Sequence, residues 1–327
     1  MSLRRLPVVA AVAAVLAVAV TLLLVVDRDR DDLAGLRIMV PNAPGSGYDV
    51  TARTVAKALE DAGLVRGVEV FNLPGAGGSV GVRRLVYERG SGSLVMLMGL
   101  GVVGSEYGRP ARRLTGTTPV ARLIQEPNMV VVTADSPFRT LNDLVAAWRA
   151  DPPAVAVGGG SSPGGPDHLA PMLFARTIGI APPVVRYVRY DGGGDLLAAI
   201  LGKRVAFGVA GVGEYADQVR SGQLRVLAVT GPTRAAGLDA PTLREAGVDL
   251  EFTNWRGIVA PPGLSARDAR ALRDVVGRLV RSAAWRAALT RNGWADAYLG
   301  GPEFGRFLAD ETARLDSVMA DLGLAPA

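Results

Sequence analysis

At four places along the 327-residue chain a short apolar run breaks into a glycine-rich loop, and each loop leads into a segment with helical spacing. The first two loops read Pro44-Gly45-Ser46-Gly47-Tyr48-Asp49 and Pro74-Gly75-Ala76-Gly77-Gly78-Ser79; the third runs from Gly158 to Gly165, and the fourth is Asp191-Gly192-Gly193-Gly194-Asp195. This alternation of strand, loop and helix predicts an α/β architecture with parallel sheets, where ligands collect beyond the carboxyl ends of the strands. Such loops also aim backbone N–H groups and a positive helix end at one point, which makes an anion site without a charged side chain. For any single loop, tight-turn chemistry explains the glycines equally well. Four at equivalent strand ends weigh against that explanation.

The periodicity predicts strands at Leu36–Val40, Val68–Phe71 and Leu94–Met98, with helices at Asp49–Leu64 and Val80–Glu88. Asp49 reads as the N-cap of the first helix and Gly63 as its stop. The same grammar recurs further on, with strands at Met129–Thr133, Val155–Val157, Val184–Tyr190, Val205–Val209 and Leu224–Thr230. Helices Thr140–Ala150, His168–Thr177 and Leu196–Leu201 fall between them. After a strand-like Gly257–Ala260, the tail reads as helix throughout: Ala266–Ser282, Ala284–Asn292 and Pro302–Leu322. A tail without a new strand must pack on an existing lobe. The expectation is therefore two lobes, residues 33–130 with 256–327 and residues 131–255, joined by two crossings near Met129–Thr133 and Asn254–Val259.

Ahead of this body, Arg4-Arg5 precedes an apolar run from Leu6 to Val26, followed by Asp27-Arg28-Asp29-Arg30-Asp31-Asp32. The run is long enough to cross a bilayer, which takes about 20 residues, and no small-x-small cleavage site stands at its end. It reads as an uncleaved anchor with Arg4 and Arg5 cytoplasmic and the body outside, tethered to the cell membrane. Cleavage within the Ala-Val-rich stretch is the alternative.

The catalytic inventory is almost empty. There is no cysteine and one histidine, His168, which removes thiolate metal sites and cysteine nucleophiles; the carboxylates do not cluster, so neither a metal nor a cofactor is expected. Two Gly-x-Ser-x-Gly strings contain Ser79 and Ser162, but Ser79 comes eight residues after Phe71 and Ser162 is followed by Pro163. Neither has the strand-turn-helix context of a hydrolase elbow, so a serine hydrolase using Ser79 or Ser162 with His168 is the weaker alternative. Gly202-Lys203 lacks the rest of a P-loop, and Gly45-Ser46-Gly47 lacks the third glycine of a dinucleotide fingerprint. The net charge of +5 sits on the body, since four basic and four acidic residues cancel within residues 1–32. Its arginines are spread without the aromatic-interleaved stripe that nucleic-acid binding requires. His168 and Tyr48 divide evenly between structural and ligand-facing roles; Trp148, Trp255, Trp285 and Trp294 read as core.

From about Leu36 to the C-terminus, several segments occur together in order. They are Pro44-Gly45-x-Gly47-x-Asp49 with Ala52-Arg53, Asn72-x-Pro74-Gly75-Ala76-Gly77-Gly78, Asp167-His168-Leu169, Tyr190-x-Gly192-Gly193-Gly194, Leu224-Arg225-x-Leu227-Ala228-Val229, Ala240-Pro241-Thr242-Leu243-x-Glu245-x-Gly247, and Asn254-Trp255-Arg256-Gly257 with Ala260-Pro261. Through them the chain resembles the substrate-binding proteins of the tripartite tricarboxylate transporter family, also called Bug-type extracytoplasmic solute receptors. The resemblance implies a two-lobed periplasmic-binding-protein-like fold of type II, monomeric, that closes on a small di- or tricarboxylate and hands it to membrane permease subunits. It also implies that Pro44, Gly45, Ser46, Gly47, Tyr48, Asp49, Ala76, Gly77, Gly78 and Ser79 hold a ligand carboxylate, largely through backbone amides. Ser161, Ser162, Asp167, His168, Tyr190, Gly192, Gly193 and Gly194 would face it from the other lobe, with Glu214. Two departures bear on the ligand. Ser46 stands where the family often has glycine, and Glu214 repels an anion unless it meets a hydroxyl, an amine or a cation. Another organic acid, such as an aromatic carboxylate, is the alternative ligand.

Overall fold

The computed structural model describes residue 33, residues 35–108 and residues 113–324; the apolar run Leu6–Val26 lies outside them. The first strand, β1 (Arg37–Val40), is buried over Ile38, Met39 and Val40 and leads through the first glycine loop into α1 (Gly47–Asp61). β1 pairs in parallel with β2 (Glu69–Asn72), which feeds α2 (Ser79–Tyr87), and with β3 (Leu94–Gly99), which runs directly into α3 (Leu100–Ser105). β3 is buried along its whole length, as a strand covered on both faces must be.

Ser46, and not Asp49, caps α1: the Ser46 hydroxyl accepts the Asp49 N–H at 3.3 Å. Asp49 sits one turn in and reaches back to accept the Gly45 N–H at 2.9 Å, so the polar pair closes the loop from both sides. At the other end Gly63 takes a left-handed φ of 63°, and the N–H groups of Gly63 and Leu64 return to Glu60 and Leu59. That is a Schellman ending, which glycine makes without steric penalty.

The middle of the molecule is β4 (Thr118–Thr133), three times the length read from the sequence. Its first half pairs antiparallel with a later strand, and its second half, from Asn128, pairs with two others. Pro119 and Pro127 hide the first half from a propensity reading, because proline cannot donate to a ladder. In the structure Pro119 stands at a register shift, and Pro127 stands where β4 changes partners. Following it, α4 (Leu141–Ala150) carries a capping box between Thr140 and Asp143. β5 (Val157–Gly159) then leads through the third glycine loop into α5 (Pro166–Thr177). β6 (Tyr187–Arg189) leads through the fourth into α6 (Gly193–Leu201), and β7 (Phe207–Gly211), α7 (Ala216–Arg220) and β8 (Leu224–Val229) complete this half. β5 lies between β6 and β7, parallel to both.

The chain returns through β9 (Thr253–Ala260), which sits between β3 and β4 and is antiparallel to both. The main path of the sheet is β2-β1-β3-β9-β4-β7-β5-β6, with β8 and β10 (Ala295–Gly300) also on β4. The last strand corrects the reading of an all-helical tail. Ala295–Gly300 holds Tyr298 as its only strong strand former, and it is recruited by pairing with β4 across a bulge. Around it stand α8 (Ala266–Arg281), α9 (Ala283–Asn292) and α10 (Gly301–Asp321). α8 buries Leu272, Val275, Val276, Leu279 and Val280, one face at helical spacing, each such side chain contributing about 1.5–3 kcal/mol when fully buried. All four tryptophans are buried. Among the described residues no helix is long and apolar enough to cross a membrane.

Candidate functional site

The four glycine loops converge. A cleft of about 280 Å³ is lined from the first half by Pro41, Asn42, Ser46, Gly47, Tyr48, Pro74 to Gly78 and Gly101. The opposite wall consists of Gly160 to Ser162, Pro166, Asp167, Arg189, Asp191 to Gly193 and Glu214; β9 adds Asn254 and Arg256. The opening residues of α1 and α6, Gly47 and Gly193, therefore face one space from opposite sides. Their first-turn N–H groups have no acceptor within their own helices.

Of the residues expected at the site, Ser46, Gly47, Tyr48, Ala76, Gly77, Gly78, Ser161, Ser162, Asp167, Gly192, Gly193 and Glu214 line the cleft. The others do not reach its wall. Pro44 and Gly45 are on the exposed outside of their loop, and the Gly45 N–H is taken by Asp49. Asp49 is committed to the loop as well, binding Arg53 Nε at 3.0 Å and Asn72 Nδ2 at 3.0 Å. Burial would raise its pKa, but these donors and the Gly45 N–H hold it below the ordinary carboxylate range. Ser79 is buried at the start of α2, and Gly194 points outward from the first turn of α6. Tyr190 lies beneath the Arg204 guanidinium, 5.8 Å from its ring centre.

His168 stands behind the third loop. Its Nδ1 accepts the Gly164 N–H at 3.2 Å and its ring meets Tyr187 edge-on at 4.8 Å. Burial pushes its pKa down to about 4, so it is neutral across the physiological range. No hydrogen bond joins it to Ser79 or Ser162 among the described residues, and a nucleophile-base pair is not formed. Asp167 organises the same loop: its oxygens accept from Asn128 Nδ2 at 3.0 Å, the Gly160 N–H at 3.1 Å and the Ser161 hydroxyl at 3.0 Å. Burial pushes it up to about 6 against the pull of Ser161, Arg256 and Asn128.

The principal residue that sequence reasoning missed is Arg256. Its side chain is 4% exposed, forms an ion pair with Glu126 and donates from Nη1 to Thr51 Oγ1 at 3.0 Å. Glu126 is steadied in turn by Trp294 Nε1 at 3.0 Å. Glu214 lies near the same guanidinium at 3.9 Å. Gly47 and Gly193 leave the room these side chains occupy: a Cβ at Gly47 would collide with the Arg256 guanidinium, and one at Gly193 with the Glu214 carboxyl. Burial, and then the neighbouring Asp167, push Glu214 up to about 8, with Glu126 adding to the rise and Arg256 opposing it. Arg256 did stand in the sequence, inside Asn254-Trp255-Arg256-Gly257, but nothing in that string marks the arginine as buried.

The family model described as "Tripartite tricarboxylate transporter family receptor" matches residues 51–324. Protein BugT of Bordetella pertussis is 28% identical over 299 residues, covering 88% of this chain and 89% of its own length. Among solved structures, Rhodopseudomonas palustris MatC with bound malate superposes with a TM-score of 0.76 at 22% identity, over 88% of this chain and 99% of that one. An R. palustris protein with adipate gives 0.81 at 24% identity, over 90% and 99%.

Proposed function

The chain belongs to the tripartite tricarboxylate transporter receptor family, and on that footing we propose that it captures a small di- or tricarboxylate and delivers it to the permease subunits of a tripartite transporter. As a member of that family it is an extracytoplasmic solute-binding receptor and not an enzyme. The observation that carries the ligand class is the cleft itself: about 280 Å³, walled by two helix starts and four glycine loops, with the buried Arg256 at its base. Backbone amides and one guanidinium suit the carboxylate of any parent acid at little cost in side-chain ordering. The two structural neighbours with malate and adipate support the same class. Residues 33–130 with 256–327 form one lobe of this reading and residues 131–255 the other; β4 and the return into β9 are the hinge, and closure brings Ser46, Gly47 and Gly77 towards Gly192, Gly193 and Ser162.

A thermal-shift panel of organic acids on the purified protein tests the reading. A ligand at 100 times its Kd stabilises by about 2.7 kcal/mol. No shift with any di- or tricarboxylate at millimolar concentration rejects it. The apolar run Leu6 to Val26 supports tethering of the receptor to the cell membrane, which predicts that the protein sediments with membranes; recovery in the soluble extracytoplasmic fraction contradicts the tether alone.

A further inference from the structure

The polar groups on the cleft wall are mismatched in a way that describes a ligand. The Arg256 Nε–H is buried without an acceptor. Glu214, 13% exposed, is reached by the Gly211 N–H but by no side-chain donor at hydrogen-bond distance among the described residues, and its approach to Arg256 is a long 3.9 Å contact with Nη2. Asn254, on the same wall, has a buried Oδ1 with no donor. One donor lacks an acceptor, one acceptor lacks a donor, and the Glu214 carboxyl has room for a further partner; a buried polar group left unpaired is destabilising until something pairs with it. The electrostatics lean the same way. Arg256 is already paired with Glu126, Asp167 and Glu214 bring two further carboxyl groups near it, and Asp191 and Arg189 are opposite in charge at the rim, so a cationic group on the ligand would favour the ionised form of Glu214.

We propose that Glu214 is a specificity-determining residue that selects organic acids bearing a hydrogen-bond donor, an ammonium or a hydroxyl, next to a carboxylate. The ligand's carboxylate takes the Arg256 Nε–H and the loop amides, and its donor goes to Glu214 with Asn254 beside it. The proposal rests on the carboxylate-receptor reading above and narrows it. The groups facing Glu214 are Arg256 from β9, Glu126 from β4, Asp167 from α5, the opening glycine of α6 and the adjacent Tyr215, whose hydroxyl is spent on the Gly193 carbonyl. Only Arg256 among them is cationic, which ranks the ammonium above the hydroxyl.

Succinate, malate and aspartate differ only in the hydrogen, hydroxyl or ammonium at one carbon, and titration calorimetry of the full chain against all three reads the preference. Malate or aspartate is expected to bind at least about tenfold more tightly than succinate, a difference of roughly 1.4 kcal/mol. An advantage confined to malate identifies a hydroxyl; one that is largest for aspartate identifies an ammonium. The Glu214→Gln variant should cut the advantage of aspartate to below threefold. Succinate binding as well as the other two overturns the proposal and leaves the receptor reading intact, and so does an aspartate advantage unchanged in Glu214→Gln. Binding of no acid overturns both. The wild-type panel decides the question even where the variant fails to fold.

Discussion

Arg256 shows how much one residue can hold together. It joins β9 to β4 through Glu126 and to α1 through Thr51, while presenting an edge to the cleft. Removing one partner of a buried pair leaves the other charge uncompensated, so Arg256→Leu should cost about 3–5 kcal/mol in urea unfolding. A loss below about 1 kcal/mol would show that the pair is not held out of water. The glycines of the site were legible as a pattern, yet their physical role was only half legible. Gly47 and Gly193 open helices towards the cleft, as expected, but they also make space for Arg256 and Glu214, which depends on packing between distant segments. Glu214 carries a pH signature of its own. Its folded pKa, about 8, lies above the ordinary 4.5, so the folded state holds the proton more tightly. That contribution is complete below the ordinary value and is lost as pH rises through about 8. Wild type should therefore lose stability relative to Glu214→Gln between about pH 5 and pH 8, read as a converging or reversing difference in melting temperature. A constant difference across that range contradicts the raised pKa.

At the level of elements, what depends on local chemistry was readable and what depends on pairing was not. Glycine loops, the Thr140 cap, the Gly63 stop and the amphipathic face of α8 follow from neighbouring residues. β10, the first half of β4 and the short α3 follow from partners far along the chain, and two prolines argue locally against β4. The misplaced N-cap of α1 is a case between the two, because Ser46 and Asp49 both have capping chemistry and only their mutual bonding decides the order. Two cap deletions separate fold from function. Thr140→Ala should lower stability by about 1 kcal/mol and leave ligand affinity unchanged, since α4 does not border the cleft. Ser46→Ala should cost a similar amount and also weaken binding, because it loosens the start of α1 on the cleft wall. Calorimetric melting with and without ligand distinguishes them; equal affinity in Ser46→Ala would remove that loop from the site.

For the whole molecule, some of the contacts across the cleft are made by very small residues. Gly104 of α3 lies against the backbone of Gly164, and Gly77 faces the Ser162 side chain; a Cβ at Gly104 would overlap the Gly164 carbonyl. Leucine at position 104 cannot be accommodated without moving the halves apart. Gly104→Leu should therefore raise the radius of gyration in solution scattering and weaken ligand binding at least about tenfold, while melting cooperatively; an unchanged radius and affinity would show that this contact does not limit closure. The claim beneath all of this is that the glycine loops and Arg256 form a receptor site for a small carboxylate. Gly77 tests it most directly, because its φ of 66° is left-handed and a Cβ added there would lie 2.9 Å from Ser105 Cβ and 3.2 Å from Ser162 Oγ, which leaves no room for a side chain. Titration calorimetry of the purified protein should give saturable one-to-one binding of at least one small di- or tricarboxylate, abolished in Gly77→Val with the fold retained by circular dichroism. Undiminished binding in a folded Gly77→Val protein, or no binding of any such acid to wild type, would contradict it.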